Sequence, residues 1–296
     1  MESIEKIFDD YTNKFMSDTK NLEGYIDKYN HSYFVRDEAL SVDSIFTKYN
    51  SDFKKILEIE SLYHDIGRFK QLQLTGSFVD FELASKYPWI QDHGDLGAII
   101  MRVELLRKLF PKDENLDNEI IKVIQLHAKN NKNLLSSIKK EYLKVFRNYD
   151  LVELFKSKNS KLEREALTAI NTAIIQDSDR LDIFRKIVSG IWVPKATNDK
   201  IDDDIWESFK NNTLPTISEL RKKGVYNPNV GHLIRMSFIN QMCLVPELQK
   251  IKDEDLIEKV YKKSGNEMVR PAYDFAKERI DTLIRESDDK ILVKRK

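Results

Sequence analysis

The chain has 296 residues, 41% hydrophobic and 33% charged, enough for a sizeable core under an ion-pair-rich surface, as one large domain or two small ones. Lys+Arg and Asp+Glu balance at 49 each, so no global positive field gathers nucleic acid and a long polyanion is not expected as a partner. One cysteine, Cys243, excludes an internal disulfide; residues 1–20 lack a signal-peptide core, and no run nears the ~20 apolar residues of a membrane span, so a cytoplasmic protein is expected.

Only 9 glycines and 7 prolines favour long helices over hairpins. Phe53, Ile56, Leu57, Ile59, Leu62, Tyr63 and Ile66 recur at helical spacing and lead into His64-Asp65. Residues 70–91 hold Gly76 and Pro88 without a clear period and read as a loop overhanging that pair. The spacing of Leu96, Ile99, Ile100, Val103, Leu106 and Leu109 predicts a helix over 92–109, stopped by Pro111. A further stripe, Ile120, Ile121, Val123, Ile124 and Leu126, ends on His127, and Asn130–Leu135 is a polar break. Leu167–Phe184 reads as a helix through Asp177, Asp179 and Asp182. After Trp192-Val193-Pro194, the polar stretch Lys195–Asp204 marks a boundary or hinge. Further helices are expected over Ile205–Phe209 and Leu233–Val245, the second stopped by Pro246, and Lys294-Arg295-Lys296 is read as a solvated tail. No alternating strand pattern appears, and the expected fold class is all-α.

The five histidines carry most of the chemical signal. His31, His64-Asp65, His93, His127 and Asp179 each lie on or beside an expected helix, so a bundle can gather imidazoles and carboxylates into a mixed nitrogen/oxygen metal site. A divalent ion held this way polarises a phosphoryl oxygen and lowers the pKa of a bound water, which points to a metal-dependent hydrolase. For Asp177 and Asp182, ligand roles and helix-surface or capping roles weigh equally. His232 reads as a hydrogen-bonded structural residue, and Cys243, between Met242 and Leu244, as a buried, unreactive thiol. Arg68 is close enough to the doublet to reach a substrate phosphate, and its planar fork suits that task; Lys129 and Arg180 are weaker candidates, with a surface ion pair as the alternative.

In order along the chain, His31, the doublet His64-Asp65 and Asp179 in a Ser-Asp-Arg-Leu-Asp context resemble the HD-domain metal-dependent phosphohydrolase superfamily. The stretch His64-Asp65-Ile66-Gly67-Arg68-Phe69-Lys70-Gln71, followed by Asp92-His93-Gly94-Asp95-Leu96-Gly97 and His127, is most similar to a bacterial branch of it. The resemblance implies a single domain over 1–296, an HD helical bundle over about 20–195 with a helical C-terminal extension over about 196–296. It implies that His31, His64, Asp65 and Asp179 coordinate a divalent ion (Mn, Fe, Zn, Ni, Co or Mg). In binuclear relatives Asp65 bridges to a second ion held at the positions of His93 and His127. Expected catalytic residues are Asp65, Arg68, His93 and His127; expected substrate contacts are Arg68, Gln71, Lys129 and Arg180. The implied activity is cleavage of a phosphate ester or anhydride in a nucleotide-like small molecule through a metal-bound water. The alternative is a metal- and nucleotide-binding regulatory module with little or no turnover. Apolar stripes on exposed helices are compatible with a homodimer.

Overall fold

The computed structural model describes residues 2–43, 51–129 and 160–286, and among these every regular element is a helix. The expected all-α class is what is found. The chain divides into two compact units, Met1–Gln176 and Asp177–Lys296; the expected break at Asn130–Leu135 and the tail Lys294–Lys296 lie outside the described residues. Among the described residues, no helix is long and apolar enough to cross a membrane.

In the first unit, α1 (Ile4–Thr12) starts where Ser3 Oγ accepts from Lys6 N, and it buries Ile7, Phe8 and Tyr11 on one face. Helix α2 (Leu22–Asp43) packs along α3 (Ser51–Tyr63), and α4 (Ile66–Thr75) follows α3 after only two residues. Rings from all four of these helices fill the core: Phe8 meets Tyr63 edge-on at 5.2 Å, and Tyr25 stacks on Phe69 at 6.2 Å between centroids. Each such ring contributes roughly 1.5–3 kcal/mol through burial.

Residues 70–91 are not the loop expected from their weak periodicity. Helix α4 runs on to Thr75 and ends on Gly76, whose φ of 73° is the left-handed cap that favours glycine. A short helix, α5 (Asp80–Lys86), buries only Leu83, too little apolar surface to leave a periodic signal. Helix α6 (His93–Ile100) begins where Asp92 accepts from Asp95 N. A π-turn over Met101–Leu105 then leads into α7 (Leu106–Leu109). That wider turn shifts the register, so Val103 of the expected apolar stripe is exposed while Met101 and Leu105 are buried; Ile99, which precedes the turn, is exposed as well. Asp113 caps α8 (Glu114–His127) by accepting from Asn115 N and Leu116 N. The long α9 (Ser160–Ser189) contains the divide between the units, at Gln176/Asp177, upstream of the polar stretch Lys195–Asp204.

In the second unit, α10 (Asp203–Lys210), α11 (Ile217–Lys222), α12 (Pro228–Gln241), α13 (Val245–Asp253), α14 (Leu256–Ser264) and α15 (Arg270–Glu286) enclose Leu181, Phe184, Leu233, Met236, Val260 and Tyr273. Thr216 and Glu219 form a capping box on α11. Pro228 stands in the first turn of α12, and Pro246 in that of α13. The expected helix over Leu233–Val245 therefore ends early, at Gln241, and Pro246 opens the next helix, a first-turn position where proline loses no hydrogen bond. The stretch after Pro194 is irregular but tied down. Buried Asn229 donates to Thr197 O (2.9 Å) and Asp199 O (2.6 Å) and accepts from Thr197 N (2.8 Å).

Asp177 is fully buried and holds the turn between α12 and α13. Its Oδ2 accepts from Cys243 N and Leu244 N, both at 2.7 Å, and its Oδ1 accepts from Arg180 Nη1 at 3.0 Å. Burial pushes its pKa up to about 6, against the pull of Arg180 and the two amides. The folded value lies above the ~3.9 of an unfolded aspartate, so the stabilisation grows as pH falls through 6 and is lost above it. Asp177→Ala is expected to cost about 2–4 kcal/mol, more at pH 5 than at pH 8, in chemical denaturation at the two pH values.

Candidate metal centre

The two residues between α3 and α4 are His64 and Asp65. Asp65 occupies the N-cap position of α4 with φ −97° and ψ 16°, yet its side chain makes no capping bond. An aspartate in that position ordinarily accepts from the first-turn amides. Here the carboxylate is directed elsewhere, from a backbone region where many active-site residues sit.

Each oxygen of Asp65 belongs to a separate buried triangle. Oδ2 lies 3.5 Å from His31 Nε2 and 3.9 Å from His64 Nε2, and the two nitrogens are 3.2 Å apart. Oδ1 lies 3.3 Å from His93 Nε2 and 3.3 Å from His127 Nε2, again with the nitrogens 3.3 Å apart. Donors ~2.1 Å from a common ion stand ~3.0 Å apart in octahedral and ~3.4 Å apart in tetrahedral geometry. The second triangle has that scale, and the first is wider on its His64–Asp65 edge.

The opposite ring nitrogens fix what the facing atoms are. His64 Nδ1 donates to Ser61 O at 2.7 Å, and His127 Nδ1 to Ile124 O at 2.6 Å. His93 Nδ1 donates to Asp80 Oδ1 at 3.0 Å. A carbonyl or carboxylate oxygen only accepts, so Nδ1 bears the proton in all three rings and a neutral ring presents a bare Nε2 lone pair. Burial and the neighbouring Arg68 keep the His93 pKa below its usual value, favouring that neutral form. Burial works against ionisation of Asp65, yet Lys28, whose Nζ is 2.7 Å from Oδ2, and the surrounding imidazoles hold it well below the usual carboxylate range. Lone pairs converging on one carboxylate could hold a cation between them, and the donor set fits a borderline divalent ion.

Helix packing places these groups. A Cβ on Gly67 would stand 2.1 Å from His93 O and 2.7 Å from Gly97 N, so α4 and α6 touch backbone to backbone. On the other face of α6, a Cβ on Gly94 would stand 2.8 Å from Gln125 O and 2.8 Å from the Ala128 Cβ. These bare contacts bring His93, at the start of α6, and His127, at the end of α8, up to Asp65. Gln176 donates to His127 O at 2.9 Å and fixes that helix end.

The remaining expected site residues are all engaged. Arg68 Nη1 donates to Gln71 Oε1 (2.8 Å), Phe78 O (2.7 Å) and Asp80 Oδ1 (3.1 Å), while its Nε lies 3.8 Å from Asp65 Oδ1. Gln71 is fully buried and donates to Asp80 Oδ1 at 3.2 Å. Lys129 spans Asp92 (2.6 Å) and Asp95 (3.1 Å), the ion-pair alternative weighed for it. Both triangles consist of first-unit residues. Asp179, half-buried and partnered, and Arg180, bonded to Asp177 and Gln241, belong to the second unit.

Two participants were not singled out in the sequence. Lys28 precedes His31 by one helical turn, and that i,i+3 relation is the signal for it. Asp80 orients His93, by ring and by backbone N–H at 3.1 Å, and holds Arg68, but it lies in the stretch that read as a loop. Compared with models of known families, with curated proteins and with solved structures, the chain has no match.

Gly67→Ala forces α4 and α6 apart and is expected to destabilise the first unit by about 2–4 kcal/mol. It should also weaken metal binding at least tenfold; thermal unfolding and titration with Mn²⁺ measure the two effects.

Proposed function

We propose that the chain is a metal-dependent phosphohydrolase of the HD type, acting on a phosphate ester or anhydride of a nucleotide-like small molecule. The observation that carries it is Asp65, with one carboxylate oxygen in each of two histidine triangles. The donors of the two triangles are four imidazoles and one carboxylate, so one divalent ion among neutral rings leaves the site net positive by one charge, and two ions by three. Such a site favours an anionic substrate.

When bound, such ions would polarise a phosphoryl oxygen and lower the pKa of water. The protein's own groups divide the rest of the work. Asp65 sets the spacing of the two triangles. Asp80 holds His93 as the Nδ1–H tautomer, and the carbonyls of Ser61 and Ile124 do the same for His64 and His127. Lys28 and Arg68, at the two edges of Asp65, carry the positive charge nearest to a phosphate placed there.

A metal- and nucleotide-binding module with little turnover is the second reading. In its favour, Arg68, Gln71 and Lys129 spend their polar atoms on internal bonds. Mn²⁺-loaded protein assayed against a panel of nucleotides and phosphoesters separates the two. The first reading expects hydrolysis that disappears with chelator and falls at least a thousandfold in Asp65→Ala while the fold is retained. Stoichiometric metal with no hydrolysis across the panel leaves the binding module, and no metal uptake contradicts both.

A further inference from the structure

Helix α12 holds a buried cation that no acid among the described residues neutralises. Arg235 is 8% exposed, and its Nε and Nη1 have no hydrogen-bond acceptor among the described residues. Burial lowers its pKa, and the groups opposing that are the phenols Tyr226 and Tyr273 rather than a carboxylate. One face of the guanidinium lies on the Trp192 indole, 4.5 Å from the ring centre, which satisfies the π-face but not the N–H edges. Unpartnered N–H groups on a buried charge are rare enough to need an explanation, and a bound acceptor is the direct one.

The surroundings supply further donors. His232, three positions earlier on the same helix, is fully buried; its Nδ1 is 2.6 Å from Tyr273 Oη and its Nε2 has no partner among the described residues. Whichever of the two atoms carries the shared proton, the buried Nε2 is a second polar atom left over on the guanidinium's helix. The bare backbone of Gly231 lies between two of the groups: a Cβ there would stand 3.1 Å from Arg235 Nη1 and 3.2 Å from Tyr226 Oη. Arg221 sits over the Tyr226 ring at 5.0 Å and adds a second positive charge. Trp192 is placed by the left-handed Gly190 that ends α9, after which Ile191 N returns to Lys186 O at 3.1 Å, and the indole is left 48% exposed.

We propose that Arg235, with Trp192, Tyr226 and His232, forms a phosphate-binding site built of second-unit residues alone and independent of the hydrolase reading. Guanidinium N–H groups without an acceptor among the described residues and a phenol hydroxyl beside the same bare glycine suit a phosphate oxyanion.

The test uses the full chain stripped of metal, so that phosphate does not report on the histidine triangles. Inorganic phosphate is titrated at constant ionic strength, with acetate in parallel, and read by thermal unfolding and tryptophan fluorescence. The expected result is a saturable rise in Tm with phosphate and little with acetate. Arg235→Met should show at least a tenfold loss of apparent affinity with an unliganded Tm equal to or above wild type, because an unpaired buried charge is gone. Tyr226→Phe, which keeps the ring, should fold normally and bind severalfold more weakly, and it decides the matter if Arg235→Met does not fold. A wild-type response that does not saturate, equal responses to phosphate and acetate, or unchanged affinity in Tyr226→Phe overturns the site.

Discussion

The first unit is organised around an electrostatic conflict. Three histidines turn their Nδ1 protons outward to Ser61 O, Ile124 O and Asp80, which directs their bare Nε2 atoms inward onto Asp65. The His93 and His127 nitrogens, 3.3 Å apart and both pointing lone pairs at one carboxylate, repel unless positive charge lies between them. Lys28 supplies positive charge on the Oδ2 side. A divalent ion in each triangle would supply the rest, and the donor spacing of the second already has the scale that such ions require.

Holding this arrangement costs conformational freedom, and the fold offsets it with close backbone packing. Gly67, Gly94 and Gly97 let α4, α6 and α8 approach until main chains touch. Four of the five candidate ligands stand at helix ends, His64 and Asp65 between two helices, His93 at a start and His127 at a finish, while His31 lies within α2. Helix ends are where backbone geometry changes direction, so side chains from one short segment can face two ways. Asp65 uses that freedom by leaving its own helix uncapped.

Much of this was visible in the sequence, for definite reasons. His64-Asp65 stood out because two metal-capable side chains adjoin at the end of an apolar helical stripe. His31, His93 and His127 stood out because histidine is scarce in this chain and each adjoins a helix. Asp80 was hidden: α5 buries only Leu83, so its seven residues lack the periodicity that reveals a helix. The π-turn was hidden too, because its wider turn moves Val103 outward without changing the composition. In the second unit, nothing in the sequence singles out Arg235; its burial without an acid among the described residues sets it apart.

The most direct test of the central claim is anomalous X-ray scattering from crystals grown with Mn²⁺. The account predicts a peak within about 2.0–2.3 Å of His31 Nε2, His64 Nε2 and Asp65 Oδ2, and a second peak about 3.5–4 Å away beside His93, His127 and Asp65 Oδ1 when both ions bind. Density showing these imidazoles hydrogen-bonded to one another or to water, with no anomalous peak at either carboxylate oxygen, would contradict it.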